Sequence, residues 1–294
     1  MSLWTGRFAP TPSGPLHFGS LVAALGSYLV AKHQNGRWLV RIEDLDPPRE
    51  QAGAAESIIR TLEVFGFEWD GPIEFQSQNS ERYREALMQL DKLGITYRCD
   101  CSRQLVNKRS DGVYDGYCRE RLVTEQTDFA VRIKFDDGFE QFTDQILGEC
   151  HFARPADKQD FVIKRKDGLW AYQLAVVVDD IAQQIDHVVR GADILDSTPR
   201  QNYLYHCFQK QSPRYFHLPL VIDNDGYKFS KSKLYPAIEP HLASVLLVKA
   251  LHHLGQKTVD DLDTGKPGEI LKFAIANWQL NTVGKQAKVA DLRS

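Results

Sequence analysis

RFAPTPSGPLHFGS, residues 7–20, is the stretch whose reading decides the fold. Pro10, Pro12, Gly14 and Pro15 forbid a helix within it and favour a fixed turn, because proline locks φ and lacks the amide proton a helix needs. Residues 4–9 read as a short buried strand. Beyond the turn, Leu21, Leu25, Tyr28 and Leu29 fall at helical spacing over residues 18–32. A strand, a rigid loop and a helix therefore follow one another, with His17, Gly19 and Ser20 at the helix start. The free N–H groups and partial positive charge of a helix N-terminus attract anions, phosphate above all. Gly19 carries no side chain, so a flat ring has room to lie against the backbone there. Taken alone, an H-x-G on a proline-rich turn is most often just a turn with an exposed histidine.

Outward from this stretch, Asn35-Gly36 closes the helix with a C-terminal glycine. Residues 38–42 read as a buried strand with Glu43 at its C-terminal end. Ligands of parallel α/β sheets bind outside the carboxyl ends of the strands, so Arg7, Glu43 and the His17 loop are expected to face one crevice. Helical spacing over residues 51–65 and 80–93 completes an alternation of strands and helices, which indicates a parallel sheet with helices on its faces. The period changes over residues 96–170. Short strand-like runs at 129–135, 140–143 and 161–166, with Asp136-Asp137-Gly138 as a hairpin signal, read as an insertion between two halves of a nucleotide-binding fold. Residues 170–178 return to the main sheet as a strand or a helix start, and 187–190 form another strand. Ser197-Thr198-Pro199 starts a helix, and 218–222 is a strand feeding a lysine loop. Residues 241–254 and 268–280 carry helical spacing.

The chain has 294 residues, enough for one large or two modest domains. It contains no apolar run of the ~18 residues a membrane span needs, and residues 1–10 lack the basic and apolar regions of a secretory signal. Five cysteines in such a chain point to thiols or metal ligands in a reducing cytoplasm. With 36 Lys and Arg against 39 Asp and Glu, the net charge is −3, which excludes the strongly basic balance of a general nucleic-acid binder. Any RNA contact must use a local patch. Cys99, Cys101 and Cys118 lie in one short stretch and suggest a tetrahedral zinc site of structural role. Asp100, Tyr114, Asp115, Tyr117 or water could supply the fourth ligand, since no histidine lies between Cys99 and Cys118.

A second stretch raises the weight of the first. KFSKS, residues 228–232, places Lys228 and Lys231 where ammonium groups can neutralise a polyphosphate in its transition state. Taken by itself it would be a solvated basic loop. Together, RFAPTPSGPLHFGS and KFSKS resemble the two signature sequences of class I aminoacyl-tRNA synthetases, and R-F-A-P-x-P-x-G-x-L-H resembles the glutamyl branch. Two departures stand out: Ser20 where the first signature ends in His, and Phe229 where the second carries Met. The resemblance implies a Rossmann-like α/β catalytic domain over residues 1–235 with an inserted zinc-binding β region at about 96–170, then a helical tail over 236–294.

The resemblance also implies roles. His17, Gly19, Ser20 and Lys231 would bind ATP with its Mg2+, and His17, Lys228 and Lys231 would serve catalysis. Glutamate would be held by Arg7, Ala9, Thr11, Glu43, Tyr172 and Arg190, with Arg7 and Arg190 on the side-chain carboxylate and Glu43 on the ammonium. This agrees with what a free glutamate requires, namely one acid and at least one two-pronged arginine. Tyr114 is implied as the fourth ligand of one Zn2+. The span after KFSKS is too short for the anticodon-binding domain of a full glutamyl-tRNA synthetase, so the chain resembles the family's truncated, stand-alone paralogues. These imply a monomeric, cytoplasmic ligase that activates L-glutamate with ATP, without tRNA, and transfers it to queuosine in the anticodon stem-loop of tRNA(Asp). A conventional synthetase charging a tRNA 3′ end, a nucleotidylyltransferase of related fold and a non-enzymatic relic are the alternatives.

Overall fold

A computed structural model describes residues 4–124, 128–136, 138–152, 159–221 and 237–285. Strands β1 (Thr5–Phe8), β2 (Arg37–Ile42) and β3 (Glu74–Phe75) alternate with helices α1 (Phe18–His33) and α2 (Ala54–Val64). After α3 (Ser80–Lys92) come β4 (Thr96–Cys99), α4 (Arg103–Ser110), β5 (Ala130–Ile133), β6 (Gln141–Asp144), β7 (Gly148–His151) and β8 (Phe161–Lys164). The chain then runs through α5 (Tyr172–Ala182), β9 (His187–Gly191), α6 (Thr198–Cys207), β10 (Arg214–Leu218), α7 (Ala243–His253) and α8 (Pro267–Asn277).

A seven-stranded sheet has the order β3-β2-β1-β9-β10-β6-β7 and is parallel apart from the β6–β7 pair. Strands β1 to β3 build outward on one side and β9 to β10 on the other. The strand order therefore reverses between β1 and β9, and it is outside the carboxyl ends of strands at such a reversal that open α/β sheets bind ligands. Helix α1 is apolar almost all round: Leu21, Leu25 and Leu29 are fully buried, and the helix packs on β1, β9, α7 and α8. A helix apolar on every side is one enclosed by protein. Leu247, Leu251 and Ile270 from α7 and α8 join Leu25, Trp38 and Phe65 in the same core. No helix among the described residues is long and apolar enough to cross a membrane.

Several elements depart from the sequence reading. Asn35, not Gly36, takes the left-handed conformation after α1, at φ 53°. Gly36 is needed for room, because a Cβ there would lie 2.3 Å from the Trp4 carbonyl oxygen. Of the two alternatives for residues 170–178 the helix start holds, with Tyr172 opening α5, while the strand expected at 218–222 is β10, which ends at Leu218. The stretch 96–170 divides between two sheets. β4, β5 and β8 form a separate three-stranded antiparallel sheet, whereas β6 and β7 extend the main sheet beyond β10. The hairpin therefore lies at residues 144–148, not at 136–138. There Asp144 Oδ1 accepts the Ile146 and Leu147 amides, both at 2.9 Å, and closes the turn.

Candidate active site

Two adjoining cavities open at the strand-order reversal. The first, roughly 300 Å3, is lined by the proline loop and the start of α1, including Gly14, His17, Gly19 and Ser20, and by Asp193. His17 is the N-cap of α1, and its Nδ1 accepts the Ser20 amide at 3.3 Å. The space above Gly19 is filled in part by that ring, since a Cβ there would stand 3.2 Å from His17 Cε1. Ser20 Oγ lies 3.1 Å from His17 Nε2, so the serine that departs from the signature steadies the histidine. Lys228 and Lys231 lie outside the described residues. The chain on either side of them is held at this cavity: Val221 lines it, and the Ile238 amide donates to the Leu16 carbonyl at 3.0 Å.

The second cavity, roughly 410 Å3, is lined by Arg7, Ala9, Thr11, Glu43, Tyr172 and Arg190 among others, which brings together all six residues expected to hold glutamate. Phe8, Thr11, Ala23, Gly191 and Asp193 line both cavities, so the two share a wall. Arg7 is buried on β1, and its Nε donates to Asp180 Oδ1 at 3.1 Å. Its terminal nitrogens make no hydrogen bond among the described residues. Asp180, on α5, also pairs with Arg41 at 2.8 Å, and Arg41 reaches Glu43 at 3.4 Å. Burial opposes the charge on Arg7 and Asp180 alike. The pairing wins, holding the Asp180 carboxyl below its ordinary range and the Arg7 guanidinium above its own. Burial likewise pushes the Glu43 carboxyl up, against the pull of Arg41 and Arg7.

Arg190, on β9, has no carboxylate partner among the described residues. Its Nη1 donates to Gln201 Oε1 and its Nη2 to Thr198 Oγ1, both at 2.7 Å, and its Nε to His217 at 3.0 Å. Thr198 and Gln201 stand on the first turn of α6, while His217 is Arg190's registered neighbour on β10. A guanidinium carries five N–H donors, so two remain for a ligand. Tyr172 opens α5 partly buried, and its desolvation raises its hydroxyl, which stays protonated. Sequence reasoning missed Arg41, Asp180, Thr198, Gln201 and His217. Arg41 carried one signal, since it stands two before Glu43 and so faces the same side of β2.

A third cluster lies apart from both cavities. The sulfurs of Cys99, Cys101 and Cys118 all lie within 4.8 Å of one another. The Tyr114 hydroxyl accepts the Cys118 amide at 2.9 Å and stands within hydrogen-bond reach of Cys99 and Cys118. Arg132 Nε donates to Cys99 Sγ at 3.3 Å and helps hold that thiol below its ordinary pKa against burial, while burial pushes Cys101 up to about 12. Three converging thiols and one phenol oxygen fit a tetrahedral ion of soft ligand preference. Cys150 and Cys207 stand outside the cluster.

The family model "tRNA synthetases class I (E and Q), catalytic domain" matches residues 5–244. Glutamyl-Q tRNA(Asp) synthetase of Pseudomonas entomophila (strain L48) is 47% identical, over 99% of this chain and 99% of its own. The protein of the same name from Pseudomonas paraeruginosa (strain DSM 24068 / PA7) is 47% identical over 99% and 98%. The crystal structure of glutamate-tRNA synthetase from Elizabethkingia anophelis superposes with a TM-score of 0.79 at 26% identity, covering 97% of this chain and 67% of that one.

Proposed function

Because this chain belongs to the catalytic-domain family of the class I tRNA synthetases for glutamate and glutamine, we propose that it activates L-glutamate with ATP and transfers it to the queuosine base in the anticodon of tRNA(Asp). The observation that carries the glutamate reading is the second cavity. Arg7 and Arg190 each keep guanidinium donors unengaged there, Glu43 stands beside them, and the crevice at the start of α1 shares their wall. The acceptor reading rests on the end-to-end likeness to proteins named for that reaction.

In the first step the arginines take the side-chain carboxylate and Glu43 the ammonium, which turns the α-carboxylate toward the wall shared with ATP. A carboxylate oxygen attacks the α-phosphorus. The bond to the β-phosphate oxygen breaks, and pyrophosphate leaves with the electron pair. His17 and the N-terminus of α1 hold the phosphates, and Lys228 and Lys231 neutralise the departing charge, with Mg2+ entering on ATP. In the second step a queuosine hydroxyl attacks the glutamyl carbonyl, its proton passes to the phosphate of the departing AMP, and AMP leaves with the bonding pair. Cys99, Cys101, Cys118 and Tyr114 hold one Zn2+, whose contribution is structural because the cluster stands away from both cavities.

ATP–pyrophosphate exchange, assayed with each amino acid in the absence of RNA, tests the first step. Exchange with glutamate alone is expected. Exchange that requires tRNA, or that prefers another amino acid, would overturn it.

A further inference from the structure

Behind the wall of the glutamate cavity, Arg190 is backed by two further side chains that line neither of the two cavities. His217 is wholly buried and Asp144 nearly so. His217 Nε2 lies 3.0 Å from Arg190 Nε, and His217 Nδ1 lies 2.7 Å from Asp144 Oδ2. Arginine only donates and an ionised carboxylate only accepts. The imidazole nitrogen facing Arg190 must therefore be the acceptor, and the one facing Asp144 must carry the proton. Both neighbours demand the same tautomer. An imidazolium would satisfy Asp144 but set a proton against the Arg190 N–H, and burial, opposed by Asp144, pushes His217 down to about 4, so the neutral form holds at pH 7. Asp144 is itself fixed: besides the two turn amides on Oδ1, its Oδ2 accepts the His217 backbone amide at 3.1 Å.

We propose that Asp144 and His217 are positioning residues for glutamate: Asp144 keeps the imidazole proton on Nδ1, and the acceptor left at Nε2 fixes the Arg190 guanidinium so that its unengaged donors meet the substrate carboxylate. This rests on the reading of Arg190 as a glutamate-binding residue. It also gives the β6–β7 hairpin a part in the site, for Asp144 ends β6 and pairs with Tyr215 on β10. Gln201 and Thr198 hold the outer nitrogens, but both sit on one helix turn. The Nε contact supplies the third point, from a different element, that fixes the plane of the fork.

The informative variant is Asp144→Asn. Asparagine can keep its oxygen on the turn amides and on the His217 backbone amide, which also lies 3.3 Å from Oδ1, and present its NH2 to His217 Nδ1. The imidazole proton must then move to Nε2, against the Arg190 N–H. The expected result is a KM for glutamate raised at least tenfold, equivalent to about 1.4 kcal/mol, with kcat at saturating glutamate and KM for ATP changing far less. Nitrogen-15 NMR of the imidazole should report the proton on Nδ1 in the parent and on Nε2 in the variant. His217→Gln, whose amide can accept from Arg190 and donate to Asp144, should bring KM back to within a few-fold of the parent, whereas His217→Leu should not.

A folded Asp144→Asn protein with parental KM for glutamate, or His217→Leu matching His217→Gln, would overturn the proposal. Should Asp144→Asn fail to fold, the His217 pair decides. Arg190→Lys separates the two levels. If it raises KM while the Asp144 and His217 variants do not, the positioning role is wrong and the glutamate reading stands. If it leaves KM unchanged, the glutamate reading of Arg190 fails, and the positioning role with it.

Discussion

At the scale of single residues, the site is built from arginines whose partners decide what they can do. Asp180 takes only the Nε of Arg7 and leaves its outer nitrogens toward the cavity. A hydrogen bond to a charged group contributes about 1.5–3 kcal/mol. Arg7→Ala should therefore weaken glutamate activation by at least about tenfold and leave ATP affinity nearly unchanged; equal loss for both substrates would contradict the assignment. His217 permits a second test. Its pKa near 4, below the ordinary 6.5, means that it resists protonation when folded. Its contribution to stability is complete above pH 6.5 and is lost as pH falls toward 4, through the window in which Asp144, Arg190 and Asp193 face it. Between pH 7.5 and 5 the parent should lose about 2 kcal/mol more stability in urea unfolding than His217→Gln does; equal losses would contradict the burial argument. Arg7, His17 and Glu43 are legible in the sequence because each lies in or beside a contiguous motif. Asp180 and His217 are not, because their partners lie far along the chain and only the packed sheet brings them together.

At the scale of elements, turns and strand ends were read well where local chemistry decides them and poorly where the sheet decides. The proline loop and α1 follow from residues 7–32 alone. The Asp136-Asp137-Gly138 signal misleads, because β5 satisfies its backbone with β4 and β8, while β6 goes to β10 and makes its own hairpin through Asp144. A turn signature prescribes a reversal of direction, not the partner of the strand that follows. The cysteine cluster joins the end of β4 to the loop carrying Tyr114 and Cys118, and its own core is small: among the described residues Val123 is buried beside Cys99, Tyr114 and Cys118, with Tyr97, Val106 and Phe129 partly buried around them. A bound ion would therefore supply much of the order in residues 97–120. Metal analysis should find about one zinc per chain. Cys118→Ser should lose it, and amide exchange should quicken in residues 97–120 while α1 and β2 stay protected. A native protein free of metal and fully active would contradict the site.

At the scale of the whole molecule, the fold sets two small-molecule cavities side by side where the strand order reverses, and the acceptor must come to their common wall. With a net charge of −3, the chain has little general attraction for phosphate, which suits a small RNA footprint. A base in a single-stranded loop can be splayed out for about a few kcal/mol and offered to a crevice. A stem-loop bearing queuosine should therefore accept glutamate about as well as the intact tRNA, while the same loop with guanosine should not. The account stands or falls on where the glutamate ends. Charging tRNA(Asp) with labelled glutamate, cutting it with a nuclease and separating the fragments decides the matter. The account predicts label on the anticodon fragment, at queuosine; label on the terminal adenosine would contradict it.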